Sequence, residues 1–392
     1  MNFKLERKNI VCLYPWLTDS TAIKCTGQIC ETIAVKHNLN SYIVTYNNEE
    51  YNRFKKYCPN TRLIFLKGKL NFRGWTVFKD LCCFILFNSR KIDILYLYHF
   101  PEDEFAIPFI GNLYKFINKH GVLYIRLEAD IDTLPQTFPG NIKKGIKNMI
   151  KKSIVTKFYR NIDLLGVIDN PDFYLSRKLR LWQLSAGKIR VQLNGYRIYE
   201  PIQIKPLVEK DNCIVLAGRL NSFQKGFDIF LEALKSTDLK NWKVILMGEI
   251  APEQIEQIKR IENDYSFSKG KITILGHISD VAAYLQVLND AKIFCLPSRF
   301  DGIPLVIPDA MSMGCVIIGS DLFGIKEIAT NNGECGLLFP EWNPDKLASL
   351  LNKVISGEMD LEAISVKAKN RAEILFHWDT IVEGLAIPSL LN

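Results

Sequence analysis

Short apolar runs rich in Val, Ile, Leu, Phe and Tyr alternate with helix-length segments along almost the whole chain. In the first half the runs are IVCLYPW, SYIVTY, TRLIFL, IDILYLYH, GVLYIRLEA, DLLGVID and KIRVQL; in the second they are NCIVLAG, WKVILMG, KITILG, AKIFCLP and GCVIIGS. Strand-like runs separated by helix-length segments are the mark of βαβ units, whose parallel strands are covered by helices on both faces. The periodicity breaks near NGYRIYEPIQIKPLVEKDN, where two prolines sit among alternating polar residues, which predicts a linker over roughly 197–210. The expected architecture is α/β, with one doubly wound, Rossmann-like domain over residues 1–200 and a second over 201–375. Ligands of such sheets lie beyond the carboxyl ends of the strands, so the expected site is a cleft between the two domains.

Length and composition agree with this picture. A chain of 392 residues is too long for one ordinary core, and 48% hydrophobic with 23% charged residues is a globular composition. Charge is unevenly spread: residues 1–200 carry 31 Lys and Arg against 17 Asp and Glu, whereas residues 201–392 carry 19 against 25. A basic first half suits an anionic membrane surface, nucleic acid or phosphorylated substrates. No zinc finger, RRM signature or clear helix-turn-helix pattern accompanies it, so nucleic acid is not the expected partner. The ten cysteines are scattered without CxxC spacing and read as reduced thiols of a cytosolic protein. Neither the N-terminal stretch nor LCCFILF, with seven residues, has the length of a membrane span. The expected location is the cytoplasm, peripheral to the inner face of the membrane.

Two stretches of the second half carry candidate chemistry. After NCIVLAG comes GRLNSFQKGFDIFLEALK, in which Gly218 ends a strand, Arg219 and Lys225 are cations, and a helix is predicted to begin near Gly226 or Phe227. Backbone amides at a helix start beside two cations suit a phosphate or diphosphate. No Walker loop and no GxGxxG follow any strand. The other stretch, PSRFDGIPLVIPDAMSMGCVIIGSD, places Asp301 on a turn and Asp309 in the first turn of a helix that begins near Pro308 and ends at Gly314. Each carboxylate can accept two hydroxyl hydrogen bonds, as a sugar ring and a ribose would offer. A helix-dipole role accounts for Asp309 alone and leaves Asp301 without a reason.

The blocks AGRLNSFQKGFDIFLEAL, ILMGE, ITILGHISD, FCLPSRFDGIPLVIPDAMSMGCVIIGSDLFGIKEI and NGECGLLFP, in this order, resemble the retaining GT-B glycosyltransferases of glycosyltransferase family four (glycosyl transferases group 1) over about residues 212–380. The resemblance implies that Arg219 and Lys225 hold the donor diphosphate. It places Asp301 at the donor sugar, Asp309 at the nucleotide ribose and Ile278 beside the base. Gly302, Ile303, Pro304 and Leu305 would supply backbone contacts to phosphate and sugar. Both aspartates stand where the family has glutamate, so each carboxylate is one methylene shorter. The segment 376–392 resembles the family's closing helix, which packs back toward the first domain.

The first half resembles the family less. IDILYLYHFPEDEF is similar to the strand carrying the family's active-site histidine, which puts His99 in the catalytic position. The family's Gly-Gly loop after strand one has only Gly27 here, which the resemblance places on the acceptor side. Glu128 and Asp130, in RLEADID, are read as acceptor-side or structural, and no metal or other cofactor is expected. Residues 140–163 place six lysines among apolar residues recurring every three to four positions, which predicts a helix able to lie on an anionic membrane or simply to pack on its own sheet. The implied activity is transfer of a sugar from a nucleotide-diphosphate donor to a glycan or lipid-linked acceptor in cell-surface glycan synthesis. The alternatives are a sugar-nucleotide epimerase or a phosphorylase on the same fold, or a non-catalytic or nucleic-acid-binding protein that uses the basic first half.

Overall fold

The computed structural model describes residues 7–47, 49–68, 74–99, 105–127, 145–168, 184–199, 201–265, 268–301 and 304–391. The chain divides into two compact units, one of residues 1–193 together with 378–392, the other of Asn194–His377. The division falls at Leu193, ahead of the linker that the sequence suggests. Tyr196 already belongs to the second unit, where its N–H donates to the Phe376 carbonyl at 2.8 Å.

The N-terminal unit holds a parallel sheet of β1 (Asn9–Leu13), β2 (Asn40–Thr45), β3 (Thr61–Phe65), β4 (Ile94–His99), β5 (Val122–Leu127), β6 (Leu164–Val167) and β7 (Ile189–Val191). Their order is β3-β2-β1-β4-β5-β6-β7. Reversal of strand order between β1 and β4 makes the sheet doubly wound, with crossover helices on both faces. Burial follows: β1, β5 and β6 are buried at every position, as expected of strands covered on both sides. Two carboxylates are built into this unit as internal caps. Asp19 accepts the Arg53 and Phe54 amides at the start of helix Asn52–Tyr57. Glu31, 2% exposed, accepts the Asn60 amide, the Asn60 side chain at 2.7 Å and the Thr61 hydroxyl at 2.9 Å. Arg126 is fully buried in β5 and donates to the Gln192 carbonyl at 3.1 Å.

The second unit repeats the plan with β8 (Asp211–Arg219), β9 (Lys243–Glu249), β10 (Ile272–Gly276), β11 (Ala291–Leu296), β12 (Val316–Ser320) and β13 (Gly336–Phe339), ordered β10-β9-β8-β11-β12-β13. Every quoted apolar run becomes a strand. The addition is β13, whose four residues GLLF pair with β12 at the sheet edge and are too short to show a period. The order turns at β8 and β11, so the loops after those two strands stand side by side. Gly226 lets the chain leave β8 compactly: its φ is +61°, and a Cβ there would lie 1.9 Å from the Pro297 carbonyl oxygen. The Phe223–Lys225 turn ends at this residue and helix Phe227–Leu234 begins from it.

The final residues, Trp378–Asn392, lie with the N-terminal unit. Trp378 is fully buried there, and Lys36 of helix Cys25–His37 pairs with Glu383.

Candidate functional site

The loops that follow β8 and β11 carry the charged cluster. Lys225 Nζ meets Asp301 Oδ2 at 2.5 Å, and their side chains are only 13% and 11% exposed. The same carboxylate accepts the Ser298 hydroxyl at 3.1 Å and faces the Gln224 amide at 3.5 Å. Gln224 in turn accepts from Arg219 Nη2 at 3.3 Å, which makes a chain Arg219–Gln224–Asp301–Lys225 across the two loops. Arg219 itself is exposed at the end of β8. The turn that holds Lys225 closes immediately before the first amides of helix Phe227–Leu234. One cation in a protected ion pair and a second facing water therefore stand next to a helix start, an arrangement with the donors and charge to hold a diphosphate.

Arg299, 8% exposed, ties the two loops together. Its guanidinium makes a bidentate pair with Asp228 at 2.7 and 2.5 Å and donates to the Phe223 carbonyl at 2.9 Å, while its backbone N–H donates to the Gln224 carbonyl at 2.8 Å. It also lies 4.1 Å from the ring centre of Phe223 and 4.7 Å from that of Trp342. A planar, permanently charged fork can satisfy all these partners at once, which an ammonium cannot. Hydrogen bonds from Arg299 hold the Asp228 carboxyl below the usual carboxylate range. Arg299 is two residues from Asp301, so the clamp fixes the turn on which that carboxylate sits.

Asp309 occupies the first turn of helix Val306–Ser312. The helix starts two residues ahead of Pro308, which is tolerated because a first-turn N–H has no intrahelical acceptor. Asp309 accepts the Tyr284 hydroxyl at 3.2 Å. Burial pushes its carboxyl up to about 7, opposed by that hydrogen bond, although the residue keeps partial access to solvent. Burial and the neighbouring Asp309 charge push the Tyr284 phenol well above its ordinary range. The helix ends as expected, with Gly314 at φ +75° and the Cys315 N–H donating back to the Ala310 carbonyl.

The remaining sequence-predicted residues fall in several places. Pro304 is buried and Leu305, 38% exposed, caps the start of the Asp309 helix. Ile278 is half-buried on the segment between β10 and helix Val281–Asp290, just before Asp280, which caps that helix. His99 is the last residue of β4 and pairs in register with Leu127 of β5. Gly27 is buried in the first turn of helix Cys25–His37, where a Cβ would lie 2.6 Å from the Ala22 carbonyl oxygen; its smallness serves packing against the Asp19–Ile23 turn. Gly302, Ile303, Glu128 and Asp130 lie outside the described residues. Among the described residues no cluster of His, Cys, Asp and Glu is placed to hold a metal ion. Gln224, Ser298, Arg299, Asp228 and Tyr284 are the site's additions to the sequence reading.

Two doubly wound units of this order make the GT-B architecture of glycosyltransferases. In solved structures the fold is matched by Anabaena Alr3699/HepE in complex with UDP, at a TM-score of 0.67 and 17% identity over 97% of this chain and 99% of that one. Residues 211–356 match the model of the family Glycosyl transferases group 1. Among curated relatives, the amylovoran biosynthesis glycosyltransferase AmsK of Erwinia amylovora is 32% identical over 107 residues, 26% of this chain and 26% of its own. The Campylobacter jejuni α-1,4-N-acetyl-D-galactosaminyltransferase, which acts on a GalNAc-GalNAc-diNAcBac-PP-undecaprenol, is 25% identical over 232 residues, 57% of this chain and 60% of its own. The chain thus spans less than two thirds of the length of the curated relatives it matches.

Proposed function

We propose that the chain is a retaining glycosyltransferase that moves a sugar from a nucleotide-diphosphate donor to a lipid-linked or growing polysaccharide acceptor in cell-surface glycan synthesis. The observation that carries it is the Lys225–Asp301 pair, held in a protected pocket of two loops beside a helix start. In this structure Lys225 and Asp301 are each other's partners. A bound donor offers better ones: phosphate oxygens for Lys225 and Arg219, sugar hydroxyls for Asp301. Asp309 would take the ribose hydroxyls as an ionised carboxylate, with Tyr284 holding its other oxygen.

The reaction breaks the bond between the anomeric carbon and the diphosphate oxygen and forms one from the acceptor oxygen to the same face of that carbon. Negative charge develops on the leaving diphosphate, where Arg219, Lys225 and helix amides stabilise it. The acceptor hydroxyl proton passes to a departing phosphate oxygen, so no protein nucleophile is required. By the family resemblance, His99 orients the sugar and acceptor. No residue of this scheme calls for a metal. The acceptor reading draws on the relatives acting in polysaccharide and lipid-linked glycan synthesis, together with the basic first half, which suits a peripheral position at the cytoplasmic membrane face.

The test is a thermal-shift and calorimetric screen of the full chain against UDP, GDP, ADP, CMP and their common sugar conjugates. One nucleotide diphosphate should raise the melting temperature, because binding to the folded state alone adds stability. The effect should vanish in Lys225→Ala. Absence of any stabilisation at millimolar concentration would overturn the donor site.

A further inference from the structure

Helix Gly74–Asn88 is apolar on both sides. Val77, Leu81, Phe84 and Ile85 are buried against the sheet, the spacing of an ordinary core-facing stripe. The opposite stripe of a surface helix is normally polar. Here it consists of Trp75, Lys79, Cys83, Leu86 and Phe87, at intervals of three and four, with Trp75 73%, Leu86 53% and Phe87 82% exposed. Beside it packs helix Ala106–Ile117, whose Phe116 is 75% exposed, and on the far side of that helix packs helix Gly145–Asn161, whose Met149 is 72% exposed. The Trp75 ring is held in place, 5.4 Å from Phe78, which in turn packs on Phe105 and Phe109. A soluble protein rarely leaves such a set of large apolar side chains in water without a use.

The charges of these helices select the occupant. In sequence the three carry seven Lys and Arg against one carboxylate, Asp80, which accepts the Tyr46 hydroxyl at 2.7 Å; five of the seven are on helix Gly145–Asn161, Lys79 is exposed on the stripe itself, and Lys115 is paired with Asp163 at 2.9 Å. Two copies of the chain meeting by this face would oppose cation to cation, since a two-fold contact pairs a patch with itself. Anionic lipid offers the complement: headgroup phosphates for the cations and an interfacial layer for Trp and Phe, whose rings favour that depth. From Trp75 to Phe87 the stripe runs about 18 Å along the helix, long enough to lie in the plane of a bilayer surface. Among the described residues no helix is long and apolar enough to cross one.

We propose that the outer face of helix Gly74–Asn88, with Phe116 beside it, is a membrane-docking surface. It seats on anionic phospholipid and inserts Trp75, Leu86 and Phe87 among the headgroups. It rests on the proposed function for its purpose, access to a lipid-linked acceptor, and it sharpens the general basic attraction of the first half into one insertion face. Cations bring the face to the surface, and the apolar stripe sets how long it stays.

The full chain, without nucleotide, should co-sediment with vesicles of phosphatidylcholine containing one-third phosphatidylglycerol and not with phosphatidylcholine alone. The double substitution Leu86→Ser with Phe87→Ser should weaken that binding at least tenfold, and Lys147, Lys151 and Lys152→Gln should make the remainder less sensitive to salt. Of the ten cysteines Cys83 alone is exposed, so an environment-sensitive dye there, in a Cys82→Ser background, should shift to the blue on the anionic vesicles. Vesicle binding unchanged by the double substitution, or bound protein with an unshifted dye, overturns the proposal. So does a dimer that the same substitution converts to monomer, which would assign the face to a second copy. Nucleotide-induced stabilisation measured in the same variant separates the two readings: lost vesicle binding with retained nucleotide binding leaves the donor site intact, and the reverse leaves the docking face intact.

Discussion

The two units share one plan and differ in where they place their chemistry. In the second unit it is concentrated in loops at the carboxyl ends of β8 and β11, where Arg299, Asp228, Gln224, Lys225 and Asp301 form one connected network. In the first unit the polar network is internal, with Glu31 and Asp19 closing the ends of β3 and a short helix, and the unusual surface is the outer side of its helices. A doubly wound sheet thus supports two independent uses: strand ends as a small-molecule site, and helix backs as a contact surface. The contrast accompanies the charge distribution, since the first half carries 31 Lys and Arg against 17 Asp and Glu, while the cations of the site are few, Lys225 and Arg299 in ion pairs and Arg219 facing water.

The largest effect expected is at the strand ends. Lys225→Ala should lower nucleotide-diphosphate affinity at least 100-fold by calorimetry, roughly 2.7 kcal/mol, with the melting temperature of the unliganded protein little changed. A loss below threefold would make the second unit's network merely structural and erase the contrast. Next come the clamps. Arg299→Met should cost about 2 to 3 kcal/mol in denaturant unfolding, because hydrogen bonds to charged partners are lost, and should weaken nucleotide binding as well. Glu31→Leu in the first unit should cost a similar amount, about 2 kcal/mol, yet leave nucleotide binding untouched. If both substitutions reduced nucleotide binding equally, the two networks would not be separate.

Asp309 gives a smaller effect with a definite sign. Its carboxyl holds a proton up to about pH 7 in the folded chain, well above an unfolded aspartate. Between about pH 4 and 7 the unfolded state therefore binds fewer protons, and stability should fall as pH rises through that window. Asp309→Asn should flatten the decline in unfolding measured against pH. Tyr284→Phe, by removing the hydrogen bond that favours the charge, should extend it to higher pH. Nucleotide affinity should move the opposite way, rising through pH 7 as the carboxylate becomes available to ribose hydroxyls. Smallest of all, Leu86→Ser with Phe87→Ser should change folding stability by no more than about 0.5 kcal/mol, since neither side chain is buried. A larger loss would return that stripe to the core.

The sequence made the sheets legible because their strands are short apolar runs set between helix-length segments, and twelve of the thirteen described strands stood out on that ground, from the fully buried β1, β5 and β6 to the more exposed β3 and β10. The exception, β13, is a four-residue edge strand whose pairing with β12 rather than its composition defines it. For the site, Asp301, Asp309, Arg219 and Lys225 were found from their place after strands. Their partners were not, because Lys225 meets Asp301 across 76 positions and Tyr284 reaches Asp309 across 25. Arg299 stood inside the stretch PSRFDG, yet nothing local distinguishes a loop arginine that binds a ligand from one that binds its own loop. The close packing at Gly27 was hidden for the same reason: only the fold shows the Ala22 carbonyl beside it. The back of helix Gly74–Asn88 was missed because a period of 3.6 identifies a buried stripe, and a second stripe opposite reads as general hydrophobicity.

The bridge between Tyr196 and His377 has an evolutionary and practical meaning. The second unit begins at Asn194 and ends at His377, and its two ends are neighbours, with the Tyr196 ring 5.5 Å from that of His377. It is topologically an insert in a host whose final helix is completed only after the insert is made. Such an element can be exchanged between hosts as a cassette, or have its ends rejoined by a short loop and be opened elsewhere, without cutting a strand of either sheet.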